Sequence, residues 1–240
     1  MNSTRNPGRV AGVLYLLLLA APLRLIYIPN KLFVPGDTIA TVANVASHET
    51  LFRLGMAGDL FTGVVMIFLV LAFYRLFAGV DRNLAVQVVI LGGVVPAAID
   101  FFNFVNDAAA LMLARGAPFL SVFDKPQQDA LAMLFLRLHD QEVVAAEILW
   151  GLWLFPLAIL IYRSGFLPRF LGVWLAINGF AYLAVSFTGQ FLPQYDGIVS
   201  KLAFPAQLGE VALMLWLVIK GARPRPPAAA TSPWRKPDTG

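Results

Sequence analysis

The chain has 240 residues, of which 59% are hydrophobic and only 13% charged, and its mean hydropathy is +0.73. That is too little polar material to coat a globule in water, so the solvent for most of its surface must be lipid. No cysteine is present, which excludes disulfides, thiolate metal sites and cysteine nucleophiles, and two histidines, His48 and His139, are too few for a histidine-rich metal centre.

At about 20 residues per crossing, the apolar runs divide into six helices. They read as 10–29, 52–76, 84–113, 130–162, 169–190 and 200–220. The first follows Arg5 and Arg9 and imitates a signal peptide, but its apolar character resumes past Arg24 as far as Ile28. A cleaved signal has an apolar core of only about 7–15 residues, so an uncleaved first helix is expected. The loop from Pro29 to Leu51 holds the turn Pro35-Gly36-Asp37, after which Thr38–Ser47 suits a short interfacial helix. The third and fourth runs exceed the bilayer, with their excess around Asn106–Leu113 and Ala130–Gln141. Pro96, Pro156 and Pro205 should kink their spans, and Gly55, Gly58, Gly63, Gly92 and Gly93 mark close helix packing. These features describe an all-α integral membrane bundle over residues 1–221. A Pro-rich polar tail, 222–240, is expected to be disordered and cytoplasmic.

The net charge of +4 is explained by topology rather than by nucleic acid. With both termini in the cytoplasm, the inner segments hold eleven of the eighteen basic residues: Arg5, Arg9, Arg75, Arg82, Arg163, Arg169, Lys220, Arg223, Arg225, Arg235 and Lys236. This asymmetry follows the positive-inside rule and gives an N-in, C-in expectation.

Acidic residues inside the spans bear most directly on function. Asp59, Glu147 and Glu210 each follow a small residue, and their runs end at Arg75, Arg163 and Lys220. A carboxylate near mid-bilayer costs roughly 2.5–3.5 kcal/mol on insertion scales, so it needs a partner, a proton or water. Asp59 to Arg75 and Glu147 to Arg163 are both sixteen-residue steps, and Tyr74 and Tyr162 precede the two arginines. The pattern suggests three tandem helical hairpins with an acid at one depth in each, although interfacial preferences alone also place Tyr and Arg at helix ends.

Most other intramembrane polar residues fall in the outer half. Asp100, Asn103 and Asp107 form a stripe on the third helix, and Arg137, His139, Asp140 and Glu142 crowd the outer part of the fourth. Seven acids (Asp59, Asp100, Asp107, Asp140, Glu142, Glu147, Glu210) face three arginines (Arg24, Arg53, Arg137). The expected site is therefore an acidic cavity open to the outside. It is lined by Asp59, Asp100, Asn103, Asp107, His139, Glu142, Glu147 and Glu210, with Arg24 and Arg53 as counter-charges. The plainer alternative is that the arginines neutralise neighbouring carboxylates and join helices.

His139 and Glu142, one turn apart, could join Asp59 or Asp107 around a metal. A lone histidine near a helix end is more often a hydrogen-bonded interfacial residue, so no metal, cofactor or catalytic residue is assigned. Ser121, Ser186 and Ser200 are poorly placed for intramembrane serine proteolysis, and no Gly-rich phosphate-binding loop exists. Three classes of function remain. The first is binding or transport of a small solute, cation or proton. The second is a membrane-embedded enzyme acting on a lipid or polyprenyl substrate, with His139 as acid or base oriented by Glu142 or Asp140. The third is a non-catalytic assembly subunit, and a homo-oligomer is compatible with all three.

Three motifs carry a family likeness: Leu51-Phe52-Arg53-Leu54-Gly55-Met56-Ala57-Gly58-Asp59-Leu60, then Ile161 through Gly172 (IYRSGFLPRFLG), then Leu208-Gly209-Glu210-Val211-Ala212-Leu213 with Leu215-Trp216-Leu217. Together they resemble family 4386 of the domains of unknown function, bacterial multi-pass membrane proteins. The resemblance implies a six-helix protein of the bacterial inner membrane whose partner is the lipid bilayer, and no nucleic acid. The family pattern carries histidine where this chain has Trp153, which implies that histidine chemistry at that position is not open here.

Overall fold

The computed structural model describes residues 6–223. The tail beyond them, with Arg225, Arg235 and Lys236, lies outside the described residues, as does Arg5. Six helices are long and apolar enough to cross a membrane: α1 (Pro7–Leu32), α3 (Glu49–Phe77), α4 (Arg82–Ala114), α5 (Lys125–Ser164), α6 (Arg169–Phe191) and α7 (Pro193–Ile219). The short α2 (Thr38–Ser47) stands where the turn at Asp37 placed it. The outward faces carry Phe102, Phe180 and Leu202 at 76%, 66% and 75% exposure, an arrangement that is inexpensive only against lipid. This is a multi-pass membrane protein.

Caps explain where the helices begin. Asn6 accepts from the Gly8 and Arg9 amides ahead of Pro7, and Asp37 accepts from Ala40 at 2.8 Å. At α5 a reciprocal box between Asp124 and Gln127, with Pro126 just inside, starts the helix five residues before the expected position.

Proline controls the internal irregularities. After Pro22, α1 widens to a π-helical turn over Leu23–Tyr27, and α4 does the same over Ile90–Val94, just before Pro96. α5 breaks at Trp153, three residues ahead of Pro156. A proline lacks the amide hydrogen and crowds the preceding turn, so the ladder slips there. α7 instead runs on through Pro205 without a change of helix type.

The spans pack as a closed ring. α1 lies against α3 and α7, and the remaining contacts run α3 to α4, α4 to α5, α5 to α6 and α6 to α7. Glycine allows the tightest crossings. A Cβ on Gly151 would lie 2.7 Å from the Gly179 carbonyl oxygen, and one on Gly12 would lie 2.6 Å from the Val218 nitrogen. The Gly8 amide donates to the Ala222 carbonyl at 3.0 Å, so both ends of the described chain meet on one face, the terminal face.

Two apolar cores form between the helices. The larger, nearer the terminal face, holds Leu69, Phe73, Phe77, Trp153, Leu157 and Leu217. The smaller, nearer the far face, gathers Ile28, Leu32, Val42, Phe52, Leu111 and Leu136. Between them lies a polar layer.

A candidate ligand site in the membrane interior

Arg24 anchors that layer. It sits on the π-helical turn of α1 and is 1% exposed, with Gly55 of α3 leaving room beside its stem. Its Nε and Nη2 each donate to one oxygen of Asp107 at 2.6 Å, a fork-to-fork pair with both partners buried. The guanidinium also lies 5.5 Å from the Phe52 ring centroid, so its flank is covered by an aromatic face.

His139 reaches the same carboxylate from α5, its Nδ1 3.4 Å from Asp107 Oδ1. It is 3% exposed, and neither ring nitrogen has a hydrogen-bond partner among the described residues. Asp59 of α3 completes a triad: one ligand atom each from Asp59, Asp107 and His139 all lie within 4.8 Å of one another. A cavity of about 70 Å³ opens beside them, lined by Asp59, Thr62, Asp100, Asn103, His139 and Trp150 among others. Asp100 faces α3 at Gly63, where a Cβ would stand 3.6 Å from its Oδ2. Among the described residues, no side chain pairs with the Asp59 or Asp100 carboxylate by hydrogen bond or ion pair.

Asparagines frame the wall. Asn103 donates to the His139 carbonyl at 3.2 Å, and Asn106 donates to Asn103 Oδ1 at 3.0 Å and to Glu142 Oε2 at 3.1 Å. Glu142 is thereby tied to the margin of the cavity.

Two of the residues expected here, Arg53 and Glu210, lie elsewhere. Arg53 is exposed and pairs with Glu49 at 2.7 Å, a carboxylate it shares with Arg115 at 2.9 Å. Six residues from Asp59, it projects from a different side of α3. Glu210 accepts from Tyr15 Oη at 2.5 Å and from Asn178 Nδ2 at 3.1 Å, inside the terminal-side core. Tyr15 precedes Arg24 by nine residues, about 13 Å along a helix, so Glu210 is bonded on the terminal-face side of the Arg24 layer. The expectation of one common depth fails for a reason visible in the spacing. Glu210 is ten residues from Lys220 where Asp59 is sixteen from Arg75, a difference of about 9 Å along a helix. Glu147 keeps one buried oxygen, Oε2, with no hydrogen-bond partner among the described residues.

Ile28, Phe52, Leu111 and Leu136, on the far-face side of the Arg24 layer, belong to the smaller apolar core and are not among the residues that line the cavity. Thr62 and Trp150 were not foreseen in the lining, since neither residue is unusual inside an apolar span. Trp153 is a core residue, packed between Tyr15 and Phe73.

Fold and site together define a helical multi-pass membrane protein with a buried polar layer between two apolar cores. The chain belongs to the family described as Domain of unknown function (DUF4386), whose model matches residues 10–221. Over 76 residues it is 33% identical to a protein of Archaeoglobus fulgidus named "Uncharacterized protein", a stretch covering 32% of this chain and 44% of that one. The match thus spans less than half of that relative's length. No solved structure matches the chain.

Proposed function

We propose that the polar layer binds a small cation within the membrane, as the binding step of cation or proton transport. The carrying observation is that Asp59 and Asp100 face the cavity without a partner, while Arg24 is committed to Asp107. Each uncompensated carboxylate at this depth costs roughly 2.5–3.5 kcal/mol, which a bound cation offsets directly. A volume of about 70 Å³ suits an ion with a few waters.

Structural glue accounts for Arg24 and Asp107 but leaves Asp59, Asp100 and His139 unexplained. The lipid-enzyme reading is supported less well, because neither Glu142 nor Asp140 hydrogen-bonds His139. We place the terminal face, with Arg9, Arg75, Arg82, Arg163, Arg169 and Lys220, in the cytoplasm of a bacterial inner membrane, by the positive-inside rule.

Thermal unfolding of the detergent-purified protein, titrated with sodium, potassium, magnesium and manganese salts, tests the reading. One cation should stabilise the wild type saturably, by about 2.7 kcal/mol at a hundredfold excess over its Kd. Asp59→Asn and Asp100→Asn should lose that response. A wild type indifferent to every cation and to pH would overturn the proposal.

A further inference from the structure

We infer that Asp59, Asp107 and His139 form a binding site for a divalent first-row transition-metal ion. The inference rests on the cation-site reading and narrows it to a chemical class. Three observations support it.

The donors converge from three separate helices, α3, α4 and α5, with their ligand atoms within 4.8 Å of one another. Metal bonds of about 2.0–2.2 Å require donors roughly 3.0–4.2 Å apart. The 3.4 Å between His139 Nδ1 and Asp107 Oδ1 already falls in that range.

The second observation is the imidazole itself. A histidine that is 3% exposed with both nitrogens unpartnered is costly unless something occupies one of them. Alkali and alkaline-earth ions prefer oxygen donors, whereas an imidazole with carboxylates suits zinc, iron and neighbouring ions. The absence of cysteine from the whole chain removes the thiolate that would select copper(I).

The third is charge. Asp59 and Asp100 line the cavity uncancelled, Glu142 adds an acid at its margin, and the adjoining Asp107 and Arg24 cancel. A divalent ion offsets the two lining carboxylates. Arg24 fixes the Asp107 carboxylate through both oxygens, the kind of supporting hydrogen bond that orients a metal ligand. Asp100 and Thr62 remain to hold coordinated water.

The test is titration of chelator-treated protein, purified without a polyhistidine tag, with cobalt(II) followed by its visible ligand-field bands. Competition with zinc(II) and metal content per chain complete the measurement. The expected result is one ion per chain, displaced by zinc, with affinity reduced at least tenfold in His139→Gln and in Asp59→Asn. The distant His48→Ala and Glu210→Gln should bind as wild type, and circular dichroism checks that each variant is folded. Absence of cobalt bands in the wild type, or undiminished binding by folded His139→Gln, overturns the inference. If cobalt fails while an alkali cation or proton still gives an Asp59-dependent stabilisation, the metal assignment falls and the cation-site reading stands. If both fail, both fall.

Discussion

A guanidinium buried against one carboxylate is stable only while both are present. Arg24→Met or Asp107→Leu should each destabilise the protein by about 3–5 kcal/mol, because the surviving charge is left buried without its partner. The double substitution Arg24→Met with Asp107→Leu should recover most of that loss. Unfolding by SDS or heat, compared across the four proteins, checks the cycle; additive losses would show that the two side chains are not coupled. The stripe of Asp100, Asn103 and Asp107 was legible from helical spacing, and so was the need for an intramembrane arginine. Which arginine was not legible: Arg24 and Arg53 look alike in sequence, but a π-helical turn directs the first inward while the second pairs with Glu49. Spacing along one helix cannot report rotation of its neighbour.

The helices are joined where backbones touch, and glycine decides those points. Gly151→Leu and Gly12→Leu should lower stability by about 1–3 kcal/mol, since added carbons meet backbone atoms of α6 and α7. Gly197→Ala, which meets nothing within 4 Å, should not. Melting temperatures in one detergent distinguish the three, and a neutral Gly151→Leu would mean that α5 and α6 part more readily than their packing implies. Span number and the short α2 could be read from hydropathy and turn residues. Helix ends were less legible, because caps such as Asp124 with Gln127 extend a helix into polar sequence. The π-helical turns were hidden as well, since prolines signal a disturbance but not the form it takes.

At the scale of the molecule, six short-linked spans close into a ring whose order follows the chain, as short connections require. Orientation can be tested simply because the chain has no cysteine of its own. In intact cells, a membrane-impermeant maleimide should label Ser47→Cys beside the far face. It should label Gly79→Cys, in the turn between α3 and α4, only after permeabilisation. The reverse pattern would invert the orientation and leave the bundle intact. The division into two apolar cores was not legible, because each helix contributes to one or both and hydropathy averages over them. Nor was the separation of Glu210 from Asp59, although the unequal steps to Lys220 and Arg75 held the signal.

The small apolar core on the far-face side of the Arg24 layer has a kinetic consequence for the proposed cation. Ile28, Phe52, Leu111 and Leu136 come from four helices and offer no polar atom to an ion leaving by that route. On the proposed reading the carboxylates and imidazole fix how favourably the site fills, while exit toward the far face waits on the separation of those four side chains. Two variants of equal affinity would then release the ion at different rates.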